Sequence, residues 1–150
     1  MDMSPSYSNS RLDLRAQSPE PRSMHWRVRY LANIIMTMNE DGTFTPREAL
    51  VLSELRNELS LTLLETADAV IFAVGQCQPL IHDNIITNEQ NLIDMLVGIL
   101  VDGSPHSPIV DVFVDQAAIP SHRLPALLDD ARVRLAKLQR RVSTRFDLKT

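Results

Sequence analysis

The sequence predicts an all-α protein, a compact bundle of about six helices in two related halves, preceded by a flexible N-terminal arm. The first observation behind this prediction is the linker 39–48, which joins two apolar segments and has an imperfect second copy at 102–108. The second is the recurrence of apolar residues at helical spacing through most of the chain. With 150 residues and 44% hydrophobic content, the chain can bury one sizeable core.

Composition divides the chain into two segments. Residues 1–23 are rich in Ser, Pro and Arg and show little apolar periodicity, so they are interpreted as a flexible arm that would need a partner to become ordered. Residues 24–150 are interpreted as one helical domain with a basic C-terminal helix.

The first helix is predicted over 24–38. Its core stripe is expected to contain Trp26 as an anchor, together with Tyr30, Leu31, Ile34, Ile35 and Met38. Gly42 can take the left-handed conformation that follows a helix, and Thr45 can cap the next one, with Pro46 in its first turn. Glu48 completes a Thr-x-x-Glu capping box.

The second helix is predicted over 46–59, and the third over 63–74 after a second capping box at 62–65. In the second helix, one side is expected to carry Ala49, Leu52 and Leu55 or Leu59, and the other side Glu54 and Glu58. Residues 76–86 are interpreted as a loop between the halves.

The second half repeats this plan. Thr87 and Glu89 are expected to belong to the cap of a fourth helix that ends at Val101, and the sixth helix is predicted over 124–146. The fifth begins at Pro108. Although the valine-rich run 109–114 would suit a strand by propensity, the alignment with the first Asp-Gly turn favours a helix.

The linker 39–48 also approximates an EF-hand calcium loop. Asn39, Asp41 and Glu48 fall at positions where such loops place oxygen ligands, but Thr37 stands where an aspartate normally opens the loop. With only two full charges, the pattern predicts at most a weak site for a divalent cation such as calcium. Helix capping explains the same residues without a ligand, and both interpretations remain open.

The two helix pairs with their Asp-Gly turns resemble the TerB-like domains of the tellurite-resistance family. The matching stretches are 34–48 and 96–103, and the resemblance extends over residues 27–140. It implies an all-helical, non-catalytic domain with a protein-binding or metal-responsive role. It also maps the acidic positions of that family onto Asp41, Glu48 and Asp102, whereas Ile109 replaces the second glutamate.

Charge is unevenly distributed along the chain. Residues 30–122 are strongly acidic, while 123–150 hold eight bases against three acids. Two interpretations compete: the basic helix folds back across the acidic body, which we favour, or its bases bind a separate partner. Whichever holds for most of the charges, we predict that the terminal segments contact a protein partner, through residues 1–23 and through four bases on the last helix, Lys137, Arg140, Arg141 and Arg145.

Other function classes find little support in the sequence. No apolar run is long enough to cross a membrane, no secretory signal opens the chain, and Cys77 stands alone as an expected buried hydrophobe, so a cytoplasmic protein is expected. The acidic body disfavours nucleic-acid binding. A small metal-dependent enzyme would have to use Asp102, His106 and His122, and nothing in their spacing brings them together. The expected function is therefore a non-catalytic protein-binding or scaffold module.

Overall fold

The computed structural model describes residues 25–40, 42–75, 78–101, 103 and 107–146. These residues form six α-helices and a short 3₁₀ helix at Ser121–Arg123. The α-helices are α1 (Trp26–Met38), α2 (Pro46–Glu58), α3 (Leu63–Gly75), α4 (Ile85–Val101), α5 (Pro108–Gln116) and α6 (Leu124–Phe146). The all-α prediction is confirmed, and the valine-rich run is the helix α5. The arm 1–23 and Cys77 lie outside the described residues.

Helix α1 and helix α4 form the centre of the bundle, and each packs against the third helix of its own half. Helix α1 contacts α3, α4 contacts α6, and α1 and α4 contact each other. The long α6 also reaches across to α2. The resulting core is aliphatic, with Leu31, Met95 and Phe113 among its fully buried side chains.

The two halves share their turns as well as their helix order. Helices α2 and α5 are each followed, two residues after the last helical one, by a residue in the left-handed conformation, Ser60 or Ala118, with φ of 57°. In both turns the next residue, Leu61 or Ile119, is buried and its amide donates a hydrogen bond back to a carbonyl of the preceding helix. This is the Schellman arrangement with its usual apolar contact. Its recurrence supports two related halves.

A glycine allows α1 and α4 to approach closely. A Cβ built on Gly98 would lie 2.6 Å from Thr37 Oγ1 and 3.3 Å from Met38 Cγ. Thr37 and Gly98 each lie five residues before the left-handed glycine of their own half, Gly42 or Gly103. The two halves therefore meet at equivalent positions, and Gly98 is required there because a side chain would separate the helices.

The first half starts and stops its helices as predicted. Gly42 has φ of 84°. Thr45 Oγ1 accepts the Glu48 amide at 3.1 Å, and Glu48 Oε1 accepts the Thr45 amide at 2.7 Å. The capping box at 62–65 is also present. At the start of α4 the prediction was wrong, because Asn84 caps the helix through the amides of Ile86 and Thr87.

Two predicted faces also differ from the structure. Trp26 is 44% exposed and is not a core anchor, although its ring makes edge contacts with Tyr30 and His82. In α2, Ala49 is exposed and Glu54 is buried, opposite to the prediction. Glu54 can be buried because Arg145 of α6 reaches it from across the bundle.

Candidate functional site

Helix α3 buries two alanines and turns most of its large apolar residues outward, although Phe72 packs partly against the core. Ala69 and Ala73 are its buried residues, and they allow α3 to lie close to α1. We define the α3 stripe as the exposed apolar residues on the opposite side: Leu63, Leu64, Ala67, Val70, Ile71 and Val74. Of these, Leu63 is 76% exposed, Leu64 74%, Ile71 71% and Val74 70%.

The stripe is continuous along the helix. At about 100° per residue, its six members fall within roughly 120° of the helix circumference. Glu65 and Asp68 lie beyond one edge, and α3 contains no lysine or arginine. A surface helix normally turns a stripe of this width toward the core, and a helix that is apolar all round is normally buried. Helix α3 therefore has the composition of a buried helix and only one covered face.

Exposed apolar groups also occur at the N-terminal ends of α1 and α4. Trp26 at the start of α1 contacts His82, just ahead of α4, whose first residues Ile85 and Ile86 are exposed. At the start of α3, the pKa of Glu65 is lowered first by the Thr62 amide and further by the charges of Arg27 and His25.

Helix α6 folds back across the acidic body, as the charge division predicted. Arg134 pairs with Asp94 and Glu58 at 2.5 and 2.6 Å, Arg141 also pairs with Glu58, and Arg145 Nε lies 2.6 Å from Glu54 Oε2. Although partial burial raises the pKa of Glu58, the guanidinium groups of Arg134 and Arg141 hold it below its usual range.

The four bases predicted to bind a partner line one open groove on α6, together with Thr144. Arg141 and Arg145 also form ion pairs with α2, whereas Lys137 and Arg140 lie on the exposed face of α6. The apolar face of the same helix is used internally, since Leu138 and Val142 are buried. The structure therefore brings the four bases together, and a partner in this groove would share Arg141 and Arg145 with the acids of α2.

A buried polar network lies between the two central helices. The Tyr30 hydroxyl donates to Asp94 Oδ2 at 2.6 Å, on the carboxylate that Arg134 also contacts. Burial raises the pKa of Asp94, and Arg134 and the Tyr30 hydroxyl oppose that shift. Burial and the Asp94 charge raise the pKa of Tyr30 well above its usual range, so it remains a hydrogen-bond donor. The network positions α1, α4 and α6 relative to one another.

His82 belongs to the same buried polar region between the two central helices. Its Nε2 lies 2.7 Å from Asn91 Oδ1, which also accepts from Asn33 Nδ2 at 2.8 Å. Because that oxygen accepts, His82 must carry its proton on Nε2. Burial lowers the pKa of His82, which keeps the ring neutral.

The structure gives capping roles to the two predicted metal ligands that it describes. Asn39 is the C-cap of α1, and Glu48 is fully buried with Oε1 bound to the Thr45 amide. Asp41 and Asp102 lie outside the described residues, as does His106, while His122 is exposed in the 3₁₀ helix. Within the described part of the chain, no three His, Cys, Asp or Glu side chains are grouped to hold a metal ion.

One acidic residue in the linker has a role that the sequence did not reveal. Glu40 accepts the Ser107 hydroxyl and, at 2.9 Å, the Ile109 amide, so it caps α5 from the opposite half. Ser107 Oγ in turn accepts the Val110 amide at 3.1 Å. Glu40, in the linker of the first half, therefore stabilises the N-terminus of α5 in the second half.

Comparisons of this chain with family models, curated proteins and solved structures found no match. Among the described helices, none has both the length and the apolar character needed to cross a membrane.

Proposed function

We propose that this chain is a non-catalytic protein-binding module that packs the α3 stripe against an apolar helix of a partner protein. The observation that carries the proposal is the exposure of large side chains along the whole outer face of α3. Continuous apolar surface of this kind is typical of interaction sites. When an amphipathic helix docks against an apolar surface, its anchor side chains recur at positions i, i+3, i+4 and i+7, and the α3 stripe has this spacing.

The stripe supplies a substantial share of the free energy of binding. Burying a fully exposed Leu, Ile or Val contributes about 2 kcal/mol, so the partial exposures of the five large stripe residues correspond to roughly 6–7 kcal/mol in total. Association costs roughly 4–15 kcal/mol in lost freedom, which is of the same size. A specific complex therefore also needs contacts from the residues around the stripe.

The second half offers an internal comparison. Helix α6 occupies the place of α3 in that half, and its exposed face carries Arg132, Lys137 and Arg140 around a single exposed valine, Val133. The fold therefore accommodates a charged outer face at this helix position. The apolar outer face of α3 is not a requirement of the bundle, which favours a role in binding.

The resemblance to TerB-like domains implies the same kind of role. The calcium and metal-enzyme alternatives gain no support from the geometry of the described residues, because the Glu48 carboxylate is engaged in its capping box and His122 belongs to no group of three described ligand side chains.

Site-specific photo-crosslinking tests the proposal. A photoreactive phenylalanine analogue replaces Ile71 in one variant and Val133 in a matched control, since Val133 is 57% exposed on α6. Irradiation in cells that express the protein should give a discrete adduct from position 71 and none from position 133. The adduct mass identifies the partner, and a doubled mass would identify a second copy. Equal or absent adducts at the two positions would refute the proposal.

A further inference from the structure

A groove lies in the other half of the molecule and shares no lining residue with the α3 stripe. Helices α4, α5 and α6 enclose an open groove of about 530 Å³. Its walls include Leu92 and Leu96 from α4, Val114 from α5 and Leu128 from α6. The volume lies within the range of ligand-binding clefts, roughly 300–1,000 Å³, and the lining is predominantly apolar as in such sites.

The described residues that line the groove carry charge of one sign. Asp111 and Asp115 line it from α5, and no lysine, arginine or histidine is among its described lining residues. The two aspartates are four residues apart, so they project from the same face of α5, one helical turn from each other. An apolar cleft with carboxylates along one wall complements a ligand with an apolar face and positive charges along one edge.

The spacing of the carboxylates indicates the form of that ligand. Side chains one turn apart on a helix are separated by roughly 5–6 Å, which matches bases at i and i+4 of a second helix lying along α5. We propose that the groove binds an amphipathic basic helix of a partner protein. Its leucine-type side chains enter between α4, α5 and α6, and its lysine or arginine side chains pair with Asp111 and Asp115.

This inference does not depend on the α3 stripe. The groove is built from helices of the second half, whereas the stripe lies on α3 of the first half, and the two share no lining residue.

A binding experiment on the full chain tests the groove. The probe is a fluorescently labelled helical peptide of about four turns, built from Leu and Lys with Leu on one face. A companion peptide keeps every Lys and replaces each Leu by Gln. Fluorescence anisotropy should show saturable binding of the Leu/Lys peptide to the wild-type chain and much weaker binding of the companion.

Charge reversal then locates the site. Asp111→Lys with Asp115→Lys should weaken binding by roughly tenfold or more, because both pairing carboxylates become bases. The control is Asp129→Lys with Asp130→Lys, two exposed acids on α6 that are not among the groove lining, which changes the net charge equally and should alter affinity by less than about twofold. Asp115→Lys alone provides a milder variant with an intermediate loss, should the double variant melt early.

Three results would overturn the proposal. The wild-type chain could fail to bind the Leu/Lys peptide, it could bind the companion equally well, or the two charge-reversed variants could lose the same affinity. Sedimentation of the chain without peptide tests whether the groove instead binds a second copy of the chain. If the wild type self-associates and the groove variant does not, the groove holds a second copy, and a basic helix of another protein is excluded.

Discussion

Replacing Arg134 by methionine should destabilise the fold far more than the loss of a base from an exposed ion pair, such as Arg132. The Arg134 guanidinium lies 2.5 Å from Asp94 Oδ1 and 2.6 Å from Glu58 Oε1, and the Asp94 side chain is 3% exposed. Without Arg134, the buried Asp94 carboxylate keeps the Tyr30 hydroxyl as its one hydrogen-bond partner among the side chains that the structure describes. Removing one member of a buried pair costs about 3–5 kcal/mol. That is a large part of the roughly 5–15 kcal/mol that a domain of this size has.

Urea denaturation followed by circular dichroism measures this loss. Arg132→Met is the matched control, since Arg132 pairs with Asp129 in an exposed ion pair two residues away on the same helix. The control should lose less than about 1 kcal/mol. Adding Asp94→Asn to Arg134→Met should recover part of the loss, because the uncompensated charge is then removed. An Arg134 variant that is no less stable than the Arg132 variant would refute the role assigned to the buried network.

Three further outcomes are expected from the same fold. Gly98→Ala should lose about 1–3 kcal/mol through its clash with Thr37, despite a helix-propensity gain of about 1 kcal/mol, and Thr37→Ala in the same chain should restore most of the loss in urea denaturation. Because burial lowers the folded-state pKa of His82, the unfolded chain takes up that proton first as pH falls. The part of the free energy of unfolding that depends on a neutral His82 should therefore be fully present above the unfolded pKa of about 6.5 and be lost as pH falls below it. A His82→Gln variant lacks this group, so its free energy of unfolding should decline less steeply as pH falls. Millimolar calcium should leave the melting temperature unchanged, and a rise that Glu48→Gln abolishes would contradict the capping role of Glu48.

The parts of the fold that the sequence predicted best depend on local chemistry. The capping box of Thr45 and Glu48 and the left-handed Gly42 are set by neighbours in the chain, so their pattern alone indicates the helix boundary. The span 124–146 of α6 was also confirmed, since its periodicity runs without interruption between clear boundaries. Local signals compete at the start of α4, where both Asn84 and Thr87 can cap a helix, and there the wrong residue was chosen.

Tertiary contacts account for what the sequence did not reveal. Glu54 carries a charge and was placed outward, but its burial depends on Arg145, which lies far along the chain in another helix. The α3 stripe was missed for a different reason. When both faces of a helix are apolar, periodicity does not say which face the core covers. The available signal was the composition of α3, with no base and with Ala69 and Ala73 opposite its large residues.

The most direct test of the central claim is the affinity of the crosslinked partner, once purified, for variants of the α3 stripe. Ile71→Glu with Val74→Glu should weaken binding by roughly a hundredfold or more, since two of the anchors become charged. Both side chains are about 70% exposed, so the melting temperature should stay the same. Val133→Glu should leave both affinity and melting temperature unchanged. Full affinity in the Ile71 and Val74 variant would contradict the proposal that α3 is the binding face.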